Sequence, residues 1–218
     1  MINFDSIEEW KAYCFNTHKS YLKNGYFRRW IEEKKVDVFD CSLLKKNDTR
    51  LITKTIGNVL NLCGRNFKIR LNKGLNLDFA IRNNQINGAK ILSMVKNSRN
   101  DKCSASIFLV NKKAKSGKNV LKFGDALTFV SDGVTIFAFN PSVKYPSRFF
   151  KAAIAHEMYH LLGLNVHHED TEVSGYPKLK CVMEYNAPTE FLCQKCKDGL
   201  ISFWKGVEYA TKQQFIKT

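Results

Sequence analysis

The sequence predicts an α/β (α+β) fold, in which a short mixed sheet packs against helices and a helical extension precedes the main domain. Up to about residue 65 the apolar residues recur at helical spacing, and from residue 66 short alternating segments are interleaved with helical ones. Turn residues such as Ser131-Asp132-Gly133 separate the short segments. We therefore expect a helical N-terminal extension over 1–65 and a main domain over 66–218.

Three helical segments make up the predicted extension. Ser6 followed by Glu9 forms a capping box, which marks the start of the first helix. Aromatic and aliphatic residues then repeat through 20–35, and a third helical pattern covers 42–63. We expect this extension to pack on the main domain.

The main domain is predicted to alternate strands and helices, as layered α/β domains do. The predicted strands are 67–71, 104–110, 127–130 and 134–139, and the predicted helices are 85–97, 148–163 and 200–215. A basic, glycine-containing loop is predicted over 112–122.

The charge balance is strongly basic, with 35 Lys and Arg against 20 Asp and Glu and a formal net charge of +15. Only 8 of the 35 are Arg, the residue suited to bidentate phosphate and base contacts, so we do not expect a nucleic-acid partner. No apolar run reaches about 18 residues, and the N-terminus lacks the pattern of a secretory signal. We expect a cytoplasmic monomer without a membrane partner, whose cysteines bind metal or lie buried.

Four of the five histidines lie within residues 156–168, and two of them form an H-E-x-x-H motif on a predicted helix. His156 and His160 are four residues apart and therefore share one helix face, so both imidazoles can bind one zinc ion. Glu157 lies on the same turn and can accept a proton from a zinc-bound water. Gly163 follows, and a glycine there lets the chain turn back to deliver a third ligand.

The motif resembles the metzincin zinc peptidases, whose pattern is H-E-x-x-H-x-x-G-x-x-H followed by a Met-turn. In this chain Val166 occupies the strict third-ligand position and cannot bind zinc. His167 is one residue further on and is the third ligand that we expect, after a one-residue insertion. His168 and Asp170 remain alternatives.

A second set of metal-binding residues follows the histidines. Cys193 and Cys196 form a C-x-x-C, which is one half of a structural zinc site. Cys181 can supply a third ligand and His168 the fourth. A redox C-x-x-C is the alternative, but such motifs normally follow the first strand of a thioredoxin-like unit, whereas this pair lies near the C-terminus.

Together these motifs resemble the archaemetzincin family, whose pattern is H-E-x-x-H-x-x-G-x-x-H-C, then C-x-M, then C-x-x-C. His168 replaces the first Cys of that pattern, and Cys181-Val182-Met183 is similar to C-x-M. The resemblance implies a metzincin-like zincin domain with an active-site helix and two zinc ions, one catalytic and one structural. It implies that Met183 lies beneath the catalytic zinc, and that Tyr185 assists the reaction as an oxyanion donor or zinc ligand.

The leading hypothesis is a zinc-dependent peptidase acting on a peptide or protein substrate. The resemblance implies aminopeptidase-like cleavage as its mode. Glu157 is its expected general base. Strand 134–139 is a candidate edge for pairing with extended substrate, and the basic loop 112–122 could favour acidic peptides. One alternative is a zinc-stabilised binding module without turnover, which is suggested by Val166 at the expected ligand position. The other is a nucleic-acid-associated protein, which is suggested by the net charge.

Overall fold

A computed structural model describes residues 1–22, 26–42, 44–62, 67–97, 104–140, 142–185 and 189–216. The strands are β1 (Ile2–Phe4), β2 (Lys35–Cys41), β3 (Lys68–Lys73), β4 (Ile81–Arg82), β5 (Gln85–Asn87), β6 (Ala105–Val110), β7 (Lys113–Ser116), β8 (Asn119–Val120), β9 (Ala126–Phe129), β10 (Val134–Ala138) and β11 (Thr171–Val173). The helices are α1 (Ile7–Thr17), α2 (Lys19–Leu22), α3 (Tyr26–Glu32), α4 (Lys46–Leu62), α5 (Gly88–Asn97), α6 (Ser147–Leu161) and α7 (Gln194–Ile216).

The main sheet has five strands in the order β3-β2-β6-β10-β9. All neighbours are parallel except β10 and β9, which run antiparallel. The fully buried β6 and β10 read as continuous apolar segments, because parallel strands at the centre of a sheet are covered on both faces. The prediction of an α/β fold with a short mixed sheet is therefore confirmed.

Two hydrophobic cores lie on opposite faces of this sheet. One core packs α4, α6 and α7 against side chains such as Val38, Ile107 and Phe137. The other packs α5 and the second sheet against Phe108 and Ile136. Because the H-E-x-x-H motif lies on α6, the first face is the one that positions the site.

The predicted loop over 112–122 contains two strands. β7 and β8 form a hairpin that turns at Gly117, whose φ is +58°, and they belong to a four-stranded sheet ordered β4-β5-β7-β8. Ala114 is the buried residue of β7, and it joins the core on the face opposite α6. The longer strand of the hairpin therefore packs on that opposite face, whereas Leu121, just after β8, lines the cleft beside α6.

The prediction that the chain is helical to residue 65 is wrong at Lys35–Cys41. This segment is β2, which pairs with β3 on one side and β6 on the other. Val36 and Val38 are fully buried there. The main sheet thus crosses the predicted boundary at residue 65, and how the chain divides into folding units stays a prediction.

Other N-terminal features agree with the sequence. Ser6 caps α1 and accepts a hydrogen bond from the Glu9 backbone N–H at 3.1 Å. The Glu9 carboxylate in turn accepts from the Asp5 N–H at 2.8 Å, one residue before the position that a standard capping box uses. None of the helices in the described ranges is long and apolar enough to cross a membrane.

Candidate metal centres

Helix α6 carries the H-E-x-x-H motif at its C-terminal end. Its apolar face is fully buried, with Ile154, Met158, Leu161 and Leu162 in the core against the main sheet. Gly163 ends the helix with a φ of +103° and lies directly against the Phe203 ring of α7. Packing on one face and a fixed end therefore hold the histidines on the other face in place.

The first two histidines present their Nε2 atoms to each other. His156 Nδ1 lies 2.6 Å from the Val182 carbonyl oxygen, and His160 Nδ1 lies 2.8 Å from that of Leu164. When each Nδ1–H donates to its carbonyl, each Nε2 keeps a lone pair for a metal. The two Nε2 atoms are 3.0 Å apart, close to the roughly 3.3 Å expected for two imidazoles on one tetrahedral zinc.

His167 joins this pair. Its ring centre lies 5.2 Å from that of His156 and 5.0 Å from that of His160. One nitrogen of each of the three rings falls within 4.8 Å of the others. Val166, at the strict motif position, packs instead against the cluster of Phe4, Trp10, Cys14 and Val173, and this accommodates the extra residue before His167.

Both His160 and His167 have depressed pKa values. Burial, followed by the neighbouring His156, lowers the pKa of His160 to about 3. Burial and His156 also lower the pKa of His167. The two imidazoles are therefore neutral at pH 7, which is the protonation state that a metal requires. In the described residues these three histidines form a cluster that fits a divalent cation.

Glu157 lies beside the cluster and is held by a threonine. Its Oε2 accepts a hydrogen bond from Thr128 Oγ1 at 2.5 Å, and Thr128 Oγ1 lies 3.0 Å from the hydroxyl of the buried Thr135. Burial raises the pKa of Glu157, whereas the bond from Thr128 acts in the opposite direction. A carboxylate anchored through one oxygen keeps the other available to a water molecule.

Tyr185 stacks on His167, with ring centres 3.9 Å apart. Its hydroxyl donates to Asp170 Oδ2 at 2.6 Å, and the same Asp170 oxygen lies 3.7 Å from His167 Nδ1. The side chain of Tyr185 is 60% exposed and lines the cleft. Asp170, an alternative third ligand in the sequence, thus contacts both Tyr185 and His167 from outside the three-histidine cluster. The assistance expected of Tyr185 stays a prediction.

The second cluster consists of the four residues that the cysteine motif predicts. His168, Cys181, Cys193 and Cys196 each place one ligand atom within 4.8 Å of the others. His168 Nδ1 lies 3.4 Å from Cys193 Sγ and 3.7 Å from Cys196 Sγ. A nitrogen and a sulfur on one tetrahedral zinc are separated by about 3.6 Å, so the spacing fits a three-Cys, one-His zinc site.

The thiols of this cluster have pKa values that are shifted in opposite directions. Hydrogen bonds from Cys181 and Cys196 lower the pKa of Cys193 to about 3, whereas bonding to the same group of thiols raises that of Cys196. All three cysteines are buried, and the structure describes them as free thiols. A zinc ion would replace the shared protons, because it binds thiolates.

The three-histidine cluster opens onto a cleft. In the His/Cys cluster the three cysteines are buried, and only His168 lines a pocket, which is separate from that cleft. The cleft has a volume of about 710 Å³ and is lined by His156, Glu157, His167 and Tyr185. Its opposite wall begins at Gly124, Asp125 and Ala126, at the start of β9. The substrate edge predicted at 134–139 is wrong, because β10 is enclosed between β6 and β9. Within the residues that the structure describes, β9 is the edge strand on this side.

Two residues of these sites are absent from the sequence predictions. Thr128 holds Glu157, and Lys195 is a buried lysine inside the C-x-x-C. Asp170, predicted as an alternative zinc ligand, instead accepts a hydrogen bond from Tyr185. A single threonine in a strand carries no sequence signal. Lys195 has one, since its place between two candidate ligands already puts it at the metal site.

No protein-family model and no curated protein matches this chain. Among solved structures, archaemetzincin from Methanopyrus kandleri matches with a TM-score of 0.58 at 11% sequence identity. The match covers 80% of this chain and 95% of that one. At this identity the similarity shows a common fold, as the motif resemblance predicted.

Proposed function

We propose that the protein is a zinc-dependent peptidase with one catalytic and one structural zinc ion. The observation that carries the proposal is the convergence of His156, His160 and His167 at a cleft, with Glu157 beside them. The archaemetzincin-like fold supports it. The same proposal includes the expectations of a peptide or protein substrate, a monomeric state and a cytoplasmic location.

Each residue of the proposed site has a separate task. His156, His160 and His167 would hold the catalytic zinc, and His168, Cys181, Cys193 and Cys196 the structural one. When bound, the catalytic zinc supplies Lewis acidity, which polarises the scissile carbonyl and makes water more acidic at neutral pH. Glu157 takes the proton from the attacking water and returns it to the leaving amine.

The edge strand offers a way to orient the substrate. Among the described strands β9 pairs only with β10, and the beginning of β9 forms one wall of the cleft while α6 forms the other. An extended peptide could add to this edge by main-chain hydrogen bonds, as peptides do in other β-augmentation complexes. The scissile bond would then lie over Glu157 and the three histidines.

The first test is the zinc content of the purified, reduced protein and of two neighbouring variants. We expect two zinc ions per chain in the wild type. His167→Ala and His168→Ala should each retain one, because the adjacent side chains belong to different clusters. His167→Ala should lose all peptide hydrolysis and keep its fold.

The binding-module alternative predicts a different result. The wild type and Glu157→Gln would then both fail to cleave a broad peptide library, although both bound the same partner. One zinc ion in the wild type, retained in His167→Ala and lost in His168→Ala, would contradict the peptidase proposal and leave a structural zinc site alone.

A further inference from the structure

Lys195 is buried although lysine side chains are almost always exposed. It lies between Cys193 and Cys196, at the start of α7, and only 5% of its surface is exposed. Its Nζ donates to the His168 carbonyl oxygen at 3.0 Å, the Thr171 carbonyl oxygen at 2.7 Å and Thr171 Oγ1 at 3.0 Å. The three donors of the ammonium group thus have three oxygen acceptors.

These acceptors lie at the two ends of a turn that directly follows His167 and begins with His168, and these two histidines belong to different clusters. Residues 168–170 form a 3₁₀ turn that begins after His167 and leads into β11. His167 faces the three-histidine cluster and His168 faces the cysteines. One ammonium group therefore holds both ends of a turn whose two neighbouring histidines point to different candidate metal sites.

Other bonds fix this segment to its surroundings on the opposite side. The His168 N–H donates to the Met183 carbonyl at 2.8 Å, and the Tyr185 N–H donates to Glu169 Oε1 at 3.2 Å. Lys195 is anchored in turn, because its carbonyl accepts from Trp10 Nε1 at 2.9 Å. The turn is held between the 181–185 segment and α7, and Lys195 forms the α7 side of that attachment.

The charge of Lys195 also suits a metal-filled His/Cys cluster. Three thiolates, one neutral imidazole and a divalent zinc ion carry a net charge of −1. A buried charge is costly unless an opposite charge lies close to it. The ammonium group, on the residue between two of the thiolates, offsets that charge.

We propose that Lys195 is a positioning residue that couples the two metal sites through residues 168–171. Its ammonium group holds the turn against α7, so that the order imposed by the structural zinc extends to His167. This inference rests on the proposed two-zinc function. It makes the affinity of the three-histidine cluster depend on a side chain that bonds none of its ligands.

The test compares Lys195→Met with Lys197→Met in the full chain loaded with Co²⁺. Lys197 is exposed on the same helix and is the matched control. Thiolate-to-cobalt charge-transfer absorption reports Co²⁺ bound at the His/Cys site. Visible ligand-field bands that are not accompanied by this charge-transfer absorption report Co²⁺ bound at the three-histidine site. Competition with a chelator then gives an affinity for each.

We expect Lys195→Met to bind metal about 10–100-fold more weakly at the three-histidine site, the range seen when outer-shell partners are removed. Lys197→Met should match the wild type at both sites. Wild-type affinity at the three-histidine site in a folded Lys195→Met protein would overturn the inference and leave the peptidase proposal intact. A wild type that binds no metal at that site would overturn both.

A milder variant covers the case in which Lys195→Met does not fold. Thr171→Val removes one of the three acceptors and keeps the β-branched shape. We expect it to weaken metal binding at the three-histidine site several-fold with little change in melting temperature. Unchanged affinity at that site in Thr171→Val would then decide against the coupling.

Discussion

The two candidate metal clusters take their ligands from adjacent residues and differ in what surrounds them. The His/Cys cluster has four ligands, and its three cysteines are buried. The three-histidine cluster has three, and it faces a cleft of about 710 Å³. Structural zinc sites are closed by four protein ligands, whereas catalytic sites keep a position open. Under the proposed function, the His/Cys cluster would supply stability and the three-histidine cluster would supply the chemistry.

The strongest way to break this assignment is to remove the proposed general base. Glu157→Gln keeps the shape of the side chain and the bond from Thr128, but an amide cannot accept the proton from water. We expect peptide hydrolysis to fall by about 10²–10⁴-fold, the usual contribution of general acid–base catalysis. Zinc content should stay at the wild-type value. Equal activity in the variant and the wild type would contradict the proposal that the three-histidine cluster is the catalytic site.

The second test compares the stability that each cluster supplies. Cys196→Ser should lower the melting temperature by about 10 °C or more, because it opens a closed site whose metal binding contributes directly to folding. His167→Ala should lower it by only a few degrees. Differential scanning calorimetry of the zinc-loaded proteins measures both. A larger loss in His167→Ala would reverse the assignment.

A smaller effect is expected from the threonine that holds Glu157. Thr128→Val removes the donor with little change in shape, and we expect kcat to fall about 10–100-fold, as a hydrogen bond to a charged group is worth roughly 1.5–3 kcal/mol. The pKa of Glu157 should rise, so the acidic limb of the pH–rate profile should move to higher pH. Thr128→Ser should restore the rate. Identical pH profiles for the valine and serine variants would contradict this role.

The last prediction concerns the pH dependence of the stability of the metal-free protein. Burial holds the pKa of His160 at about 3, below its ordinary value of 6.5, so the unfolded chain binds the proton first as the pH falls. The contribution of His160 to stability is therefore complete above pH 6.5 and is lost towards pH 3, by at most about 1.4 kcal/mol per pH unit.

Urea unfolding of the metal-free protein between pH 7 and pH 4 measures this contribution. His160→Asn should lose stability less steeply than the wild type on acidification. Glu157 has a raised pKa and acts in the opposite direction, but it is present in both proteins and largely cancels from the difference. If the free energy of unfolding of the variant and of the wild type changed with pH in parallel, the pKa of His160 would be the same in the folded and the unfolded protein, which would contradict the prediction.

The sequence predicted the ligand groupings because their geometry is local. Residues four apart on a helix share a face, so the pairing of His156 and His160 needed no knowledge of the fold. The C-x-x-C is local in the same way. The position of His167 depends on the turn after α6 as well as on the helix, and the structure brings His167 rather than His168 to the pair.

The errors concern features that depend on distant parts of the chain. β2 shows the alternation of a strand at Val36 and Val38, but helical patterns on both sides obscured it. β10 could not be recognised as an inner strand, because the order of strands in a sheet is set by long-range pairing. The hairpin of β7 and β8 has one buried residue, Ala114, in its longer strand and so lacks the apolar alternation that predicts strands.

Gly163 carries two constraints that no other residue type satisfies together. Its φ of +103° is strained for any side chain, and a methyl group there would meet the Phe203 ring at 2.3 Å. A replacement would therefore have to be accompanied by a smaller residue on α7 and a rebuilt turn. We expect relatives to retain this glycine together with an aromatic residue in the C-terminal helix. The pair could therefore identify distant relatives whose overall sequences can no longer be aligned.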